Sequence, residues 1–370
     1  MDETAVTTAT ATATATATTN TDAKKIKANK VKFGPIEIDF VPFDTPLKEH
    51  LQTLSVALNL TLTICGTTIA PLLLLYVFFY TRFWWLVPLY VAWVYYDRET
   101  GFKGGRKWNW YRRNVIFDYF RDYFPSKLIK TQDLATDTNY LFVVYPHGVL
   151  SYSTLAVFGS EANRIESEAF PGLDFRIVTL DINFYCPITR EYFLSMGAIG
   201  ATESSIRYVL SSEPSKAVVL IAGGAAEAQL AAPGNTYRIV AARRKGFVRL
   251  ALKTGASLVP VFSFGENNIY AQYQSEWLTK MQLMFKKLTG IYPVVPRGRG
   301  ILQYTFGILP NRHPINTVVG KPIAVPSMED PSVNDIDQYH AKFIQELKTL
   351  FEQHKHKYDA AGGNAELVIV

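Results

Sequence analysis

The sequence is poor in cysteine, since its 370 residues include only Cys65 and Cys186. Cys65 lies inside a long apolar run, where a structural disulfide is not expected. Small secreted domains that depend on disulfides carry many more cysteines at regular spacings. The shortage therefore argues against a disulfide framework and favours a protein of a reducing compartment.

Short motifs of several common enzyme classes are also missing. The sequence holds no GxSxG, HExxH, CxxC or GxxxxGK[ST] pattern, which argues against the usual serine hydrolases, zinc proteases, redox dithiols and P-loop NTPases. The stretch Gly298-Arg299-Gly300 lacks the third glycine of a dinucleotide-binding fingerprint. His354 and His356 are typical of a solvated helix end. We expect no metal site and no resident cofactor.

Charge and the N-terminal composition limit the partners. The formal net charge is +6, which suits acidic lipid head groups or the phosphates of a co-substrate. No recognised nucleic-acid-binding module accompanies this charge, so we expect no nucleic-acid partner.

Thr and Ala alternate over most of the first 23 residues, and lysines follow from Lys24 to Lys32. We predict a disordered Thr/Ala-rich and basic tail over residues 1–32.

The longest apolar segment runs from Leu54 to Tyr96 and has one charged residue, Arg82, in 43 positions. As a helix it would measure roughly 65 Å, about twice the ~30 Å bilayer core. We predict a transmembrane helical hairpin that turns at Arg82, because a charge at the bilayer centre is costly. The second limb, from Phe83, is either a full span or a re-entrant limb. Basic flanks predict cytosolic termini; a buried hairpin in a globular protein is the alternative.

Beyond about Tyr111, short apolar runs alternate with amphipathic stretches. Four runs indicate buried strands: Tyr140–Tyr145, Phe175–Leu180, Ala217–Ala222 and Leu258–Phe264. Three stretches indicate helices: Ile206–Ser211, Arg243–Thr254 and Val333–Lys357. This alternation predicts an α/β fold over residues 111–358, with a mostly parallel sheet covered by helices.

One of the six histidines directly follows a predicted strand. His147 stands in the order Tyr145-Pro146-His147-Gly148. Proline keeps the preceding residue extended and glycine permits a sharp turn. Open α/β sheets bind ligands just beyond their strand ends, where an imidazole can accept a hydroxyl proton. The residues alone leave two interpretations open: a catalytic base, or a turn histidine hydrogen-bonded to the backbone.

Two glycine-containing turns follow other predicted strands: Gly223, Gly224 and Glu227 after one, and Gly265, Glu266 and Asn267 after another. Adjacent glycines expose backbone N–H groups that can bind a phosphate or a developing oxyanion. A single glycine pair is a weak signal, because such pairs are common in turns. Parallel strands would, however, bring both turns and the His147 loop to one edge of the sheet, and this convergence is stronger evidence of a site.

A basic cluster precedes the predicted helix after Ala242. It consists of Arg243, Arg244 and Lys245. Guanidinium groups and an ammonium suit the phosphates of a nucleotide-type co-substrate. A solvated surface face is the ordinary alternative for such a cluster.

Four blocks in this order resemble the type-2 diacylglycerol acyltransferase family, which includes monoacylglycerol acyltransferases and wax-ester synthases. The resemblance covers about Asp44 to Tyr358. The first block, Tyr145 to Gly148, is similar to the family's HPHG, and the third, Gly223 to Glu227, to its GGxxE. The others are Pro187-Ile188-Thr189-Arg190-Glu191-Tyr192, similar to PxxREY, and the stretch from Arg244 through Gly265, Glu266 and Asn267.

This resemblance implies an activity and a location. Family members transfer an acyl group from acyl-CoA to diacylglycerol and make triacylglycerol. They sit in the endoplasmic reticulum membrane as multi-pass proteins and also reach lipid droplets. We therefore expect acyl-CoA as co-substrate, diacylglycerol as acceptor, membrane lipid as partner and a cytosolic catalytic domain. Monoacylglycerol or fatty alcohol is the alternative acceptor, and the existence of a homo-oligomer is left open.

The resemblance also implies site roles, with two departures. His147 would be the general base, Arg190 and Glu191 an internal ion pair, and the basic cluster the acyl-CoA-binding group. Many members have a histidine where this chain has Tyr145, which supports a catalytically silent scaffold as a further alternative. Related glycerolipid acyltransferases carry an aspartate five positions after the histidine, where this chain has Tyr152. Glu161 is the nearest family-matching carboxylate, and we predict that it assists His147.

Overall fold

The structure is a computed structural model, in which residues 29–33, 36–273, 275–289 and 293–370 are described. Most of the predicted tail, residues 1–28, lies outside these ranges. Its last residues belong to strand β1 (Asn29–Phe33), which pairs antiparallel with β2 (Ile36–Phe40). The chain continues into helices α1 (Leu47–Leu60), α2 (Gly66–Tyr80) and α3 (Leu86–Tyr96).

These helices cover the predicted hairpin, but not as one uniform unit. The inner face of α1 packs against the body, where Val56 and Leu60 are buried. Helix α2 exposes most of its large apolar side chains, and α3 has no buried residue. Arg82 lies in the turn between α2 and α3, as predicted.

No single described helix is long and apolar enough to cross a bilayer. One pair, Leu47–Thr63 with Thr68–Tyr80, meets the length and composition criteria together but is bent by 74°. Membrane insertion of the hairpin therefore stays a prediction.

The body is built on a central sheet of seven strands, with further short strands outside it. In chain order its elements are α4 (Asn109–Arg112), α5 (Val115–Tyr123), β3 (Lys127–Lys130), β4 (Tyr140–Tyr145), α6 (Tyr152–Phe158), β5 (Asp174–Thr179), α7 (Thr189–Ser195), β6 (Ala198–Gly200), α8 (Glu203–Leu210), β7 (Lys216–Ile221), α9 (Gly224–Ala228), β8 (Thr236–Ile239), α10 (Gly246–Thr254) and β9 (Ser257–Phe264). They are followed by β10 (Ala271–Gln272), α11 (Glu276–Thr289), β11 (Pro296–Arg297), β12 (Asn316–Val319), α12 (Val333–Tyr358) and β13 (Glu366–Ile369).

The central sheet has the order β3-β12-β9-β4-β7-β5-β6. Only the β12–β9 pair is antiparallel, and the other pairs of this sheet are parallel. Strands β4 and β9 are buried at every position, which explains their continuous apolar runs because both faces of a parallel sheet are covered. The predicted α/β fold with a mostly parallel sheet is confirmed, and the four predicted strands agree to within one residue at each end.

Alternate residues of β4 serve two cores, as the two-residue period of a strand requires. Leu141, Val143 and Tyr145 pack with α8, α10 and α12 on one face. Tyr140 and Phe142 pack with α5, α6 and α7 on the other. The C-terminal strand β13 pairs with β8 and lies beyond the predicted boundary at residue 358.

Candidate active site

Three adjacent parallel strands end at the candidate site. Strand β4 lies between β7 and β9 and is parallel to both. The turns that follow them contain His147, Gly223 and Gly265, so the predicted convergence of these three loops is confirmed. Two buried carboxylates, Glu227 and Glu266, bind the backbone around His147 from the neighbouring turns.

The His147 imidazole is held in a defined protonation state. Its side chain is half-buried, and burial lowers the pKa of His147 despite hydrogen bonding to the backbone. Nδ1 lies 3.0 Å from the Gly148 carbonyl oxygen. Because a carbonyl only accepts, Nδ1–H is the donor, and Nε2 is left with a lone pair. The ring is neutral at pH 7 and can accept a proton at Nε2.

Glu227 connects its own turn after β7 with the His147 loop and with the residue that follows β8. One carboxylate oxygen accepts the backbone N–H of His147, and the other accepts that of Val240 at 2.8 Å. Burial raises the pKa of Glu227 to about 7, although both hydrogen bonds favour the ionised form. A Cβ at Gly223 would come within 2.1 Å of this carboxylate. Glycine is therefore needed at position 223 to let Glu227 reach the His147 loop.

Glu266 holds the other side of the same loop. Its carboxylate accepts the backbone N–H groups of Tyr152 at 3.0 Å and Ser153 at 2.7 Å, which begin helix α6. Burial raises the pKa of Glu266 to about 7. Gly148 has φ +61°, and a Cβ there would lie 2.5 Å from the Glu266 carboxylate. The predicted motif residues Gly148 and Glu266 thus meet directly.

The turn at Gly265 is fixed by its backbone. Gly265 has φ +89°, and a Cβ would meet the Pro314 carbonyl at 2.1 Å. Its N–H donates to the Tyr237 hydroxyl at 3.1 Å, and this hydroxyl donates to Asp359. Asn267 is buried in the same turn. Tyr237 was not predicted, because a tyrosine in a four-residue strand carries no sequence signal.

Tyr145 and Pro146 precede His147 and are buried. The Tyr145 hydroxyl has no hydrogen-bond partner among the described residues. Burial raises the pKa of Tyr145, and the nearby charge of Glu227 acts in the same direction. The phenol is therefore neutral and belongs to the core on the α10–α12 side.

Glu161 lies in a different network. It is buried, and its carboxylate accepts the backbone N–H groups of Glu166 at 3.3 Å and Ser167 at 3.2 Å. The guanidinium of Arg112 stands 3.7 Å away. In the described part of the chain no hydrogen bond joins Glu161 to His147. The structure thus places Glu227 and Glu266, rather than Glu161, against the His147 loop, and a direct role for Glu161 stays a prediction.

Arg190 and Glu191 form the predicted ion pair, with N and O 2.6 Å apart. Arg190 also bonds Asp97 at the end of α3, while Arg106 bonds both Asp97 and Glu191 at 2.8 Å. Burial acts to raise the pKa of Asp97, but hydrogen bonds from Thr100, Arg190 and Arg106 hold it below its usual value. This cluster, which we call the joint, fastens the hairpin to α7. Neither Asp97 nor Arg106 was predicted as part of this cluster, although Asp97 directly follows the apolar segment and Arg106 lies ten positions after its end.

The basic cluster lies between β8 and α10. Arg243 and Arg244 are exposed, and Lys245 pairs with Asp337 at 2.6 Å. The charge of Arg244 acts to lower the pKa of Glu227, and the cluster begins three residues after Val240, whose backbone N–H bonds the same carboxylate. The cluster is thus a solvent-facing positive edge next to the loops. No group of three or more potential metal-ligating side chains suited to an ion occurs among the described residues.

Comparisons with known proteins show the family of the chain. A family model described as diacylglycerol acyltransferase matches residues 76–369. Diacylglycerol O-acyltransferase 2 from Danio rerio is 42% identical over 87% of this chain and 90% of its own length. The protein of the same name from Dictyostelium discoideum is 38% identical over 89% of this chain and 99% of its own length. A 2-acylglycerol O-acyltransferase 1 from Bos taurus is 38% identical over 87% and 97%.

A solved structure also resembles the chain weakly. The crystal structure of the 1-acyl-sn-glycerophosphate acyltransferase PlsC from Thermotoga maritima covers 83% of this chain and 96% of its own, with 11% identity and a TM-score of 0.38. At that TM-score the likeness supports no statement about this chain. The family match and the identities of about 40% show that the chain is an acyltransferase that belongs to the diacylglycerol acyltransferase family.

Proposed function

We propose that this chain transfers the acyl group of acyl-CoA to the free hydroxyl of diacylglycerol and so makes triacylglycerol. The observation that carries the proposal is the neutral imidazole of His147 at the meeting point of three loops. The names of its relatives supply the substrate class. Their similarity extends over most of this chain, and the range matched by the family model, residues 76–369, includes every loop of the site.

His147 acts as the general base in this proposal. Nε2 removes the proton from the acceptor hydroxyl while that oxygen attacks the thioester carbonyl carbon. The tetrahedral intermediate then collapses, the C–S bond breaks, and the imidazolium returns its proton to the thiolate of CoA. Backbone N–H groups at Gly223 and Gly224 are the proposed donors to the oxyanion, and one such donor is worth about 3 kcal/mol. Glu227 and Glu266 hold the loop and form no covalent bond.

The other substrate contacts follow from charge and exposure. Arg243, Arg244 and Lys245 would bind the CoA phosphates, since their edge faces solvent beside the site. The exposed apolar side chains of α2 and α3 support insertion in the endoplasmic reticulum membrane, with lipid droplets as a second location. The diacylglycerol would then arrive through the bilayer and the acyl-CoA from the cytosol.

Monoacylglycerol is a second candidate acceptor. The relative from Bos taurus that is named 2-acylglycerol O-acyltransferase 1 is almost as similar to this chain as the diacylglycerol enzymes are. The arrangement of the loops around His147 suits either acceptor, because each presents a free hydroxyl to Nε2. Product analysis with competing acceptors distinguishes them.

The test compares the unmutated chain with His147→Ala in membranes that lack other neutral-lipid synthesis. Labelled acyl-CoA is offered with diacylglycerol, monoacylglycerol or fatty alcohol. We expect a loss of activity of about 10²- to 10⁴-fold, the usual contribution of a positioned base. His356→Ala is the matched control, because His356 is exposed on the C-terminal end of α12.

Two outcomes would contradict the proposal. Unchanged product from His147→Ala protein would refute the general-base mechanism. No product from the unmutated chain with any acceptor would instead favour the silent scaffold.

A further inference from the structure

A small cleft of about 20 Å³, open at the surface, lies at the root of the hairpin between α1, α4, α5 and α7; this is room for one hydroxyl group or water. Its walls are mostly apolar, with Leu58 and Leu62 on the hairpin side and Ile116, Phe117 and Phe120 on the body side. No charged side chain lines the cleft. It therefore suits a small neutral group, because an ion would find no partner there.

Two polar groups line this cleft with unused hydrogen-bonding capacity. The Asn59 amide N–H donates to the Tyr192 hydroxyl, which leaves the phenol O–H to donate elsewhere. Asn59 Oδ1 is buried and has no partner among the described residues. Asn59 as a whole is 5% exposed. A buried acceptor without a partner costs about 1–3 kcal/mol, so a ligand group that donates to it would recover stability.

A hydroxyl is the ligand group that matches this pair. It can donate to Asn59 Oδ1 and accept from the Tyr192 O–H at the same time. If the Asn59 amide is turned over, the Tyr192 O–H donates to Oδ1, and the free amide N–H then needs an acceptor. A hydroxyl oxygen serves in that case too. An ester carbonyl only accepts, so it could serve the turned-over amide but not the unpartnered Oδ1 of the arrangement seen here. A carboxylate would bring a charge into an apolar cleft.

A chain of contacts connects the wall of the cleft with the His147 loop. Phe120, in its wall, contacts the Tyr152 ring with centroids 5.8 Å apart. The Tyr152 backbone N–H bonds Glu266, whose carboxylate lies against Gly148. On the other side, α1 leads through the turn Thr61–Cys65 into α2.

We propose that this cleft is a holding site for the hydroxyl end of a lipid alcohol, with Asn59 and Tyr192 binding the hydroxyl and the apolar walls contacting the adjacent carbons. The lipid alcohol is the acyl acceptor on its route from the hairpin to His147. This inference rests on the proposed function for the identity of the alcohol. Its binding chemistry rests only on the cleft.

The test measures binding without turnover, in the His147→Ala protein reconstituted in phosphatidylcholine nanodiscs. The probe is a photoreactive diacylglycerol, competed by unlabelled diacylglycerol or by its O-methyl ether, which cannot donate a hydrogen bond. We expect Asn59→Leu and Tyr192→Phe each to weaken diacylglycerol binding about 3- to 10-fold, the share of one hydrogen bond. The O-methyl ether should bind weakly and respond little to either substitution.

Ser55→Ala is the matched control, because Ser55 also lines the cleft but donates to the Ile116 carbonyl at 2.6 Å. Equal binding of the alcohol and its ether, unchanged in both variants, would mean that the pair holds only water and would overturn the inference. Thermal midpoints of all variants report whether they fold.

An activity measurement separates the two proposals. With His147 intact, Tyr192→Phe should raise the KM for diacylglycerol and leave the KM for acyl-CoA unchanged. If the unmutated chain makes no triacylglycerol while the binding differences persist, the proposed function fails and the holding site stands. If activity is present and the binding differences are absent, only the holding site fails.

Discussion

The hairpin and the central sheet are both built from long apolar runs, but the fold treats them in opposite ways. Every residue of β4 is buried between β7 and β9 and under helices on both faces. Helix α3 has no buried residue, and Leu72 on α2 is 65% exposed. An apolar run thus indicates that a segment avoids water, and tertiary contacts decide which atoms surround it instead. Strand β4 is surrounded by other parts of this chain, whereas we propose that lipid surrounds α2 and α3.

The joint connects the hairpin to the body, and we expect its removal to have the largest effect on stability. Arg190 is 1% exposed and bonds Asp97 from the hairpin and Glu191 from α7. We expect Arg190→Ala to lower the free energy of unfolding by about 3–5 kcal/mol, because two acidic groups lose a buried partner. Denaturant unfolding in detergent measures this loss.

Lys253→Ala is the control for the joint, since it removes a pair with the exposed Glu203. Its effect should stay within about 0.5 kcal/mol. Equal losses for the two variants would show that the joint is not a structural connection.

Two leucines, one in the central sheet and one in the hairpin, allow the stabilities of the two regions to be compared directly. Leu141 in β4 is fully buried, whereas Leu72 in α2 is exposed. Leu141→Ala should cost about 2–5 kcal/mol through lost burial and a cavity, and Leu72→Ala about 0.5 kcal/mol or less. Denaturant unfolding in detergent measures both. A large loss for Leu72→Ala would mean that α2 packs against protein rather than lipid.

The pH dependence of catalysis reports on the loops around His147 and not on the hairpin. Burial lowers the pKa of His147 from its usual 6.5, so the base form persists below that pH. We expect kcat/KM to stay high as pH falls to 6.5 and then to decline about tenfold per unit below the lowered pKa. Protonation of Glu227 and Glu266, whose pKa values are raised to about 7, adds a shallower change nearby.

The residual activity of His147→Ala provides the control for that profile. It should lack the steep acidic limb, because no other proposed base titrates there. A limb of the same steepness in both proteins would assign the titration to another group.

Sequence reasoning located the sheet and the loops more accurately than it assigned the carboxylates. Strands such as β4 were predictable because a strand buried on both faces is apolar without interruption. The role of Glu161 was inferred from its distance along the chain to His147. That distance is uninformative about contacts, since Glu227 and Glu266 reach His147 and Gly148 from 80 and more positions away.

The sequence by itself determined the apolar segment Leu54–Tyr96, four strands of the central sheet, and the residue types at the ends of β4, β7 and β9. These are local properties, set by periodicity, turn residues and the cost of exposing apolar side chains to water. Only the tertiary structure decided which carboxylate faces which loop, which tautomer His147 adopts, and that Asn59 and Tyr192 share a cleft. Those facts depend on contacts between residues far apart in the chain, and no local pattern encodes them.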